Sequence, residues 1–240
     1  MENQLLYIGV VFVLAGMVKG VTGMGLPTVA MALLGLVMPP LQAAALLVVP
    51  SLLTNVWQML ERQGLHAAWL RLRPMLLGVC AGTLLGGALF AQGEGKAILG
   101  VALVLYALLG LSSWHWTVRA EQEWWLGPVV GVATGILTAL TGVFVLPAVP
   151  YLQALRLGKE ELVQAMGLSF TVSTLALAVL LAGQGAWQPA DAGMSFVAQL
   201  PALLGLALCT RLRARLEPQM FRRCFFAVLL LLGVHMGLAG

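Results

Sequence analysis

Charged residues are scarce in this chain, and their scarcity excludes a soluble globular protein. Only 9% of the 240 residues are charged, whereas soluble domains carry about 25%. Hydrophobic residues make up 60% of the chain, and the mean hydropathy is +0.96. Lipid must therefore be the solvent for most of its surface. Since a spanning helix takes about 20 apolar residues, we predict an all-α polytopic membrane protein that forms one integral membrane domain.

Cysteine and histidine are too few and too dispersed to form a reactive centre. The three cysteines and three histidines are isolated, without the spacing that metal ligands show. Cys80 and Cys209 have no nearby histidine that could act as a base. We therefore expect no metal, no cofactor and no enzyme activity. The net charge of +4 is too small to indicate a nucleic-acid surface, so the expected partner besides the bilayer is a small molecule.

The hydrophobic sequence divides into about eight segments, of which the first and fifth are exceptional. These two are the longest, and each contains a break rich in glycine and threonine near its middle. Such breaks within apolar helices are typical of transporters. The segments lie at about residues 5–38, 42–60, 67–91, 96–113, 125–152, 161–183, 193–211 and 221–239.

The two halves of the chain also resemble each other weakly. A Gly-x3-Gly pattern at residues 16–20 recurs at residues 131–135, and in both halves a glycine-containing break and a proline follow it. We therefore predict two transmembrane repeats, residues 1–118 and 119–240. Each repeat would comprise one broken helical segment followed by three further helices.

The distribution of basic residues favours a re-entrant hairpin over a single crossing for each broken segment. With single crossings, lysine and arginine divide eight to four between the two membrane faces, whereas with hairpins the division is eleven to one. The positive-inside rule favours the second arrangement. Each repeat then crosses the membrane an odd number of times, so the repeats are inverted and both termini lie outside. The eleven residues on the inner face are Arg62, Arg71, Arg73, Arg119, Arg156, Lys159, Arg211, Arg213, Arg215, Arg222 and Arg223, and Lys96 lies on the outer face.

Lys19 is the one charged residue that this topology leaves within the membrane. A lysine at the bilayer centre costs about 2.5–3.5 kcal/mol on insertion scales, and no aspartate or glutamate lies inside a predicted span to offset it. A bound anion would offset this cost. Alternatively, the Lys19 side chain could extend along its helix to the membrane surface. The adjacent break would add backbone N–H groups and hydroxyls at the start of a short helix. Its site residues are Gly20, Thr22, Gly23, Gly25 and Pro27, with Thr28 as a further hydroxyl donor.

Two further groups of polar residues are predicted to line the same site. Ser51, Thr54 and Asn55 share one face of the second segment with Gln58, at i, i+3, i+4 and i+7 spacing. The second, inverted break would contribute Thr138, Thr141 and Gly142, with Pro147 beginning its short helix. Helix packing is the alternative role for the glycines of both breaks, and hydrogen bonding between helices is the alternative for Asn55. We expect Gly78, Gly82 and Gly86 to form a close-packed seam.

These motifs resemble those of a known family. GMVKGVTGMGLPTVAMALLG (16–35) with VVPSLLTNVWQ (48–58), and GVATGILTALTGVFVLPAVPYL (131–152), are similar to the two repeat motifs of the TauE/SafE sulfite exporter family, also called the toluene-sulfonate uptake permeases. The resemblance covers essentially the whole chain. It departs where members carry a run of glycines, since Val143-Phe144-Val145-Leu146 follows Gly142 here. The second break is therefore a weaker candidate for substrate contact than the first.

The resemblance implies transport of sulfur-containing or other organic anions across a bacterial inner membrane. We predict a secondary transporter, acting as an exporter of a small oxyanion such as sulfite or a sulfonate, with alternating access around a site at mid-membrane. An anion channel, or an uptake permease for a carboxylate or sulfonate, is the alternative. A membrane-embedded enzyme would need a nucleophile and base that the chain does not offer, and a scaffold subunit would bind no ligand.

Overall fold

Ten α-helices, with no β-strand, make up the part of the chain that the computed structural model describes. This part comprises residues 2–61, 63–89, 95–112, 116–186, 189–212 and 218–239. In chain order the helices are α1 (Glu2–Thr22), α2 (Leu26–Leu34), α3 (Pro40–Leu60), α4 (Leu65–Leu89), α5 (Gly95–Leu111), α6 (Ala120–Thr141), α7 (Ala148–Ala154), α8 (Lys159–Gly183), α9 (Pro189–Leu212) and α10 (Pro218–Ala239).

Six of these helices contain a stretch long and apolar enough to cross a membrane. Two further helices have shorter apolar stretches, Lys96–Leu111 in α5 and Gly193–Cys209 in α9. Many leucines and valines of the long helices are exposed, as lipid-facing side chains must be. The protein is therefore a multi-pass membrane protein. The six spanning stretches are Gln4–Thr22, Pro40–Leu60, Leu65–Ala88, Ala120–Thr141, Lys159–Gly183 and Met220–Leu238.

The first broken segment forms a helical hairpin, as predicted. α1 ends at Thr22 because Gly23 and Gly25 follow with φ angles of 72° and 101°, which only glycine adopts readily. α2 then begins at Leu26, with Pro27 in its first turn. The Tyr7 hydroxyl donates a hydrogen bond of 2.7 Å to the Leu33 carbonyl, so the end of α2 returns to the beginning of α1.

The second broken segment also folds back on itself, but its returning helix is shorter. α6 ends at Gly142, whose φ of 69° and N–H bond of 2.9 Å to the Thr138 carbonyl are typical of a glycine at a helix end. α7 has only seven residues, compared with nine in α2. The Val118 N–H donates to the Ala154 carbonyl at 3.0 Å, which brings the end of α7 beside the start of α6.

Glycines allow the long helices to pack at backbone distance. Gly78, Gly82 and Gly86 of α4 face α6, where an added Cβ at each would collide with backbone or Cβ atoms. The predicted close-packed seam is therefore confirmed. Gly16 and Gly20 of α1 form a similar seam with α9, against Ala202, Leu206 and Cys209. Gly20 is thus a helical residue of a packing seam, which is the alternative role given for the glycines of the break.

Packing between helices encloses α2, the middle of α3 and α7 at the centre of the molecule. α3 packs against α8 and α9, and α8 also packs against α4. α2 is in contact with α1, α3, α5 and α10, and nearly all of its side chains are buried. Phe144, which lies between α6 and α7, packs against Phe170 of α8 with the ring centroids 5.3 Å apart. The second break is therefore buried in protein, whereas Gly23 and Met24 of the first break are half-buried.

Candidate anion-binding site

Lys19 is buried, with 5% of its side chain surface exposed. It lies one turn before the end of α1, and its ammonium group donates a hydrogen bond to the Asn55 Oδ1 atom of α3. Among the described residues no carboxylate lies within ion-pair distance of Lys19. A buried lysine whose hydrogen-bond partner is a neutral amide has no countercharge, so its protonated form is costly in the membrane interior. The residue is therefore enclosed by protein.

Asn55 leaves half of its amide available. Its side chain is fully buried, and while Oδ1 accepts from Lys19, the Nδ2 donor has no hydrogen-bond partner. Ser51 lies one helical turn earlier on the same face of α3, and its buried Oγ atom is also without a partner. An ammonium, an amide N–H2 and a hydroxyl thus occur close together, and all three can donate to an oxyanion.

The remaining polar residues of this face of α3 are engaged. The Thr54 hydroxyl donates to the Pro50 carbonyl at 2.7 Å, so it lines the helix without offering a free proton. Gln58 donates through Nε2 to the Val163 carbonyl of α8 at 2.9 Å. The predicted common face is therefore present, and its Ser51 and Asn55 have unsatisfied polar atoms.

The first break places further groups near the end of α1. The Thr22 hydroxyl donates within the turn, to the carbonyls of Val18 and Met24, and accepts from the Met24 N–H at 3.2 Å. Thr22 therefore shapes the turn. Thr28, in the first turn of α2, is fully buried and its hydroxyl has no partner. Nothing lies within 4 Å of the position that a Cβ of Gly23 would occupy, so the backbone there borders open space.

The second break offers fewer available hydrogen-bond donors than the first. Thr138 and Thr141 are fully buried, but their hydroxyls donate to the carbonyls of Thr134 and Leu137 in their own helix, at 2.7 and 2.6 Å. Gly142 packs against the side chain of Met31 in α2, with the nearest atoms 3.0 Å from its Cβ position. The second break thus touches the short helix of the first hairpin through apolar atoms. A helix of seven residues after it adds no N-terminal site of its own.

Several other buried polar atoms lie outside the predicted site, and two of their residues, Ser195 and Gln199, were not singled out from the sequence. Ser195 of α9 hydrogen-bonds to α3 near Pro50, across a sequence separation of 146 to 149 residues. The signal in the sequence was Pro50, since a proline inside a helix leaves a carbonyl in need of a donor. The other members of this group have an atom without a partner: Ser169 and Ser173 of α8 and Gln199 of α9.

One end of the molecule carries a polar surface next to these buried groups. Arg71 of α4 forms a bidentate ion pair with Glu123 of α6, at 2.6 and 2.9 Å. Beside it lies a recess of about 140 Å³ between α4 and α8, which Gln164 helps to line. Gln164 donates to the Met59 carbonyl at 3.0 Å, next to the Gln58–Val163 bond, so two glutamines tie α3 to α8 where the recess ends.

Metal binding finds no support in this arrangement. Within the described ranges, no group of three or more His, Cys, Asp or Glu side chains could hold a metal ion. The polar groups around Lys19 are an ammonium, an amide and hydroxyls, which suit an anion and not a cation.

The comparisons with known proteins identify a family for the chain. A model of the family described as "Sulfite exporter TauE/SafE" matches residues 8–236 of the 240-residue chain. No match was found among curated proteins. Solved structures gave no match either. The family match covers nearly the whole chain and includes both hairpins, Lys19 and Asn55, so the chain belongs to the TauE/SafE sulfite exporter family of membrane transporters.

Proposed function

We propose that the protein is a secondary transporter that exports a small sulfur or organic oxyanion, such as sulfite or a sulfonate, across the bacterial inner membrane. The observation that carries this proposal is the buried ammonium of Lys19, whose hydrogen-bond acceptor is the neutral Asn55 amide. An anion bound beside it would supply the missing countercharge. It would also accept hydrogen bonds from the unpartnered Asn55 Nδ2 and Ser51 Oγ atoms.

The residues of the site would divide the work between charge, donors and shape. Lys19 supplies the charge, while Asn55, Ser51 and Thr28 supply donors. The first turn of α2 adds backbone N–H groups and the positive end of a helix dipole. Thr22, Gly23, Gly25 and Pro27 shape the turn that aims this helix end, Gly20 brings α1 onto α9, and Thr54 forms part of the wall. Thr138, Thr141 and Gly142 would close the site from the second half through packing.

Two inverted repeats, residues 1–118 and 119–240, would provide the two states of an alternating-access cycle. The recurrence of helix contacts supports this proposal. α1 packs on α9 as its counterpart α6 packs on α4, and α3 packs on α9 as α8 packs on α4. α3 and α8 pack on each other, as do α5 and α10. Exchange of partners between halves is what a two-fold relation produces, and rocking of one half against the other would open the site alternately.

The inner entrance would be the recess beside Arg71. The Gln58 and Gln164 bonds close α3 onto α8 between this recess and Asn55, which lies three residues before Gln58. We infer that these two bonds separate on the way to the inward-open state. Exposed Trp57, Trp69 and Trp124 near the same ends of α3, α4 and α6 support a membrane interface there.

Export suits the energetics of the membrane. An inside-negative potential drives each negative charge outward by about 2.3 kcal/mol per 100 mV, so no coupling ion is required. Both termini would lie on the periplasmic side, because the predicted inner face carries nearly all lysines and arginines.

The test is sulfite efflux from proteoliposomes that contain the purified protein. We expect saturable efflux that an inside-negative potential accelerates and that Lys19→Met abolishes. Strict dependence on a sodium or proton gradient would contradict uncoupled export. Conductance far above carrier turnover would instead identify an anion channel, and accumulation against the potential would identify an uptake permease.

A further inference from the structure

A proline interrupts the helix that carries the Lys19 partner. Pro50 lies in the middle of α3 and has no N–H group, so it cannot donate to the Leu46 carbonyl four residues earlier. Leu46 is buried, and water is therefore not available to that carbonyl. A buried carbonyl without a donor destabilises the structure, so another residue must supply the hydrogen bond.

Ser195 of α9 supplies it. The fully buried Ser195 hydroxyl donates to the Leu46 carbonyl at 2.8 Å and accepts from the Val49 N–H at 3.1 Å. One hydroxyl thus satisfies two backbone groups of α3, both in the turn that precedes Pro50. The buried Thr83 hydroxyl of α4 differs, because among the described residues it has no hydrogen bond to another helix. It donates to the Val79 carbonyl of its own helix.

This contact lies directly before the site residues of α3. Ser51 follows Pro50 immediately, and Asn55 follows it by just over one turn. α9 also packs on α1 through the seam of Gly16 and Gly20. A single helix therefore touches both helices that contribute to the Lys19–Asn55 hydrogen bond, and its contact with α3 lies beside Pro50.

We propose that Ser195 is a positioning residue for the anion site. By bridging the Leu46 carbonyl and the Val49 N–H in the turn before Pro50, it holds α3 so that Ser51 and Asn55 face Lys19. The inference rests on the proposed function, because it assumes an anion at Lys19. It adds a residue of the second half of the chain, distant in sequence, to the determinants of anion affinity.

A double-mutant cycle at Ser195 and Pro50 tests the proposal. The variants S195A, P50A and S195A/P50A, with S195T, would be compared in full-length protein for sulfite affinity by calorimetry and for efflux KM and kcat in proteoliposomes. We expect S195A to raise the sulfite Kd and KM about ten-fold, with a smaller change in kcat. S195T keeps the hydroxyl and should restore affinity.

The P50A background separates the bridging role of Ser195 from any other role of this residue. P50A restores a backbone N–H that can donate to the Leu46 carbonyl, so adding S195A should then change the sulfite Kd by less than about two-fold. T83V, which removes a buried hydroxyl with no bond to another helix, is the matched control and should leave the Kd unchanged.

Three results would overturn the proposal. One is a lower Tm for S195A with sulfite Kd and KM unchanged, which would make the contact merely structural. Another is a loss of affinity from S195A that is equal in the wild-type and P50A backgrounds, which would exclude the bridging role of Ser195 beside Pro50. The third is a wild-type protein that binds no sulfite or other oxyanion, where the proposed function itself fails. That last result differs from the first two because it appears before any variant is made.

Discussion

The two hairpins follow similar paths but differ in whether they contain buried polar atoms without a partner. In the first, the Lys19 ammonium has a neutral partner and the Thr28 hydroxyl has none. In the second, Thr138 and Thr141 donate to carbonyls of α6 itself, at 2.7 and 2.6 Å. Both hairpins have a glycine at positive φ in the break, so the backbone motif alone does not explain the difference.

Under the proposed function, this difference assigns the anion to the first hairpin, where polar atoms remain unsatisfied. A threonine that bonds to the carbonyl four residues earlier has its proton in use and offers an anion little. An ammonium, by contrast, retains two further protons after one hydrogen bond. The proposed site is therefore asymmetric: the first half would supply the charge, and the second half would supply packing against it.

Removal of the charge should have the largest effect. Lys19→Met keeps the length and the apolar part of the side chain but removes the ammonium. Because a hydrogen bond with a charged group contributes about 1.5–3 kcal/mol, we expect sulfite affinity to fall by about 100-fold at the upper end of this range. Calorimetry with sulfite measures this loss of affinity. The control is Lys96→Met, at an exposed position at the start of α5, and similar losses in both variants would contradict the asymmetry.

An internal countercharge should have the next largest effect. Asn55→Asp would place a carboxylate against the Lys19 ammonium, where the amide oxygen now lies. The carboxylate would compete with the substrate anion, so we expect at least a ten-fold loss of sulfite affinity together with a higher Tm, since a buried charge gains a partner. Thermal unfolding with and without sulfite measures both. A variant that still shows the full sulfite-induced shift would argue against an anion at this position.

A matched pair of threonines tests the comparison directly. Thr28→Val and Thr138→Val each replace one fully buried hydroxyl by a methyl group of similar shape. We expect Thr28→Val to weaken sulfite binding by about three- to ten-fold, because a donor is lost, and Thr138→Val by less than about two-fold. Sulfite Kd values decide between them. The reverse order would assign the hydroxyl donor to the second hairpin.

The smallest effect should come from the break glycines. Gly23→Ala meets no neighbouring atom, but it must keep a φ of 72°, which costs an L-residue about 1–2 kcal/mol. Gly142→Ala has a similar φ of 69° and in addition would press on Met31, 3.0 Å away. We therefore expect both to lower the Tm, Gly142→Ala by more. Thermal unfolding in detergent checks the order, and equal Tm values would show that Met31 moves aside freely.

Local features of the structure could be predicted, whereas contacts between distant segments could not. The helix boundary between Thr22 and Leu26 follows from neighbouring glycines and a proline, whose backbone preferences act without help from the rest of the chain. The common face of Ser51, Asn55 and Gln58 follows from helical periodicity. Gly20 shows the limit of such reasoning, since its role depends on Cys209 and Leu206 of α9, which the local sequence does not reveal.

The sequence by itself determined that this protein lies in a membrane, at which residues its helices break, and that one cation must be buried. These features follow from the sequence because composition and backbone preference are properties of short segments. Only the tertiary structure decided what that cation meets. Asn55 is 36 residues from Lys19, and Ser195 is 149 residues from the Leu46 carbonyl it satisfies. Such pairings arise when packed helices exclude water and leave each polar atom only the partners that the fold brings near.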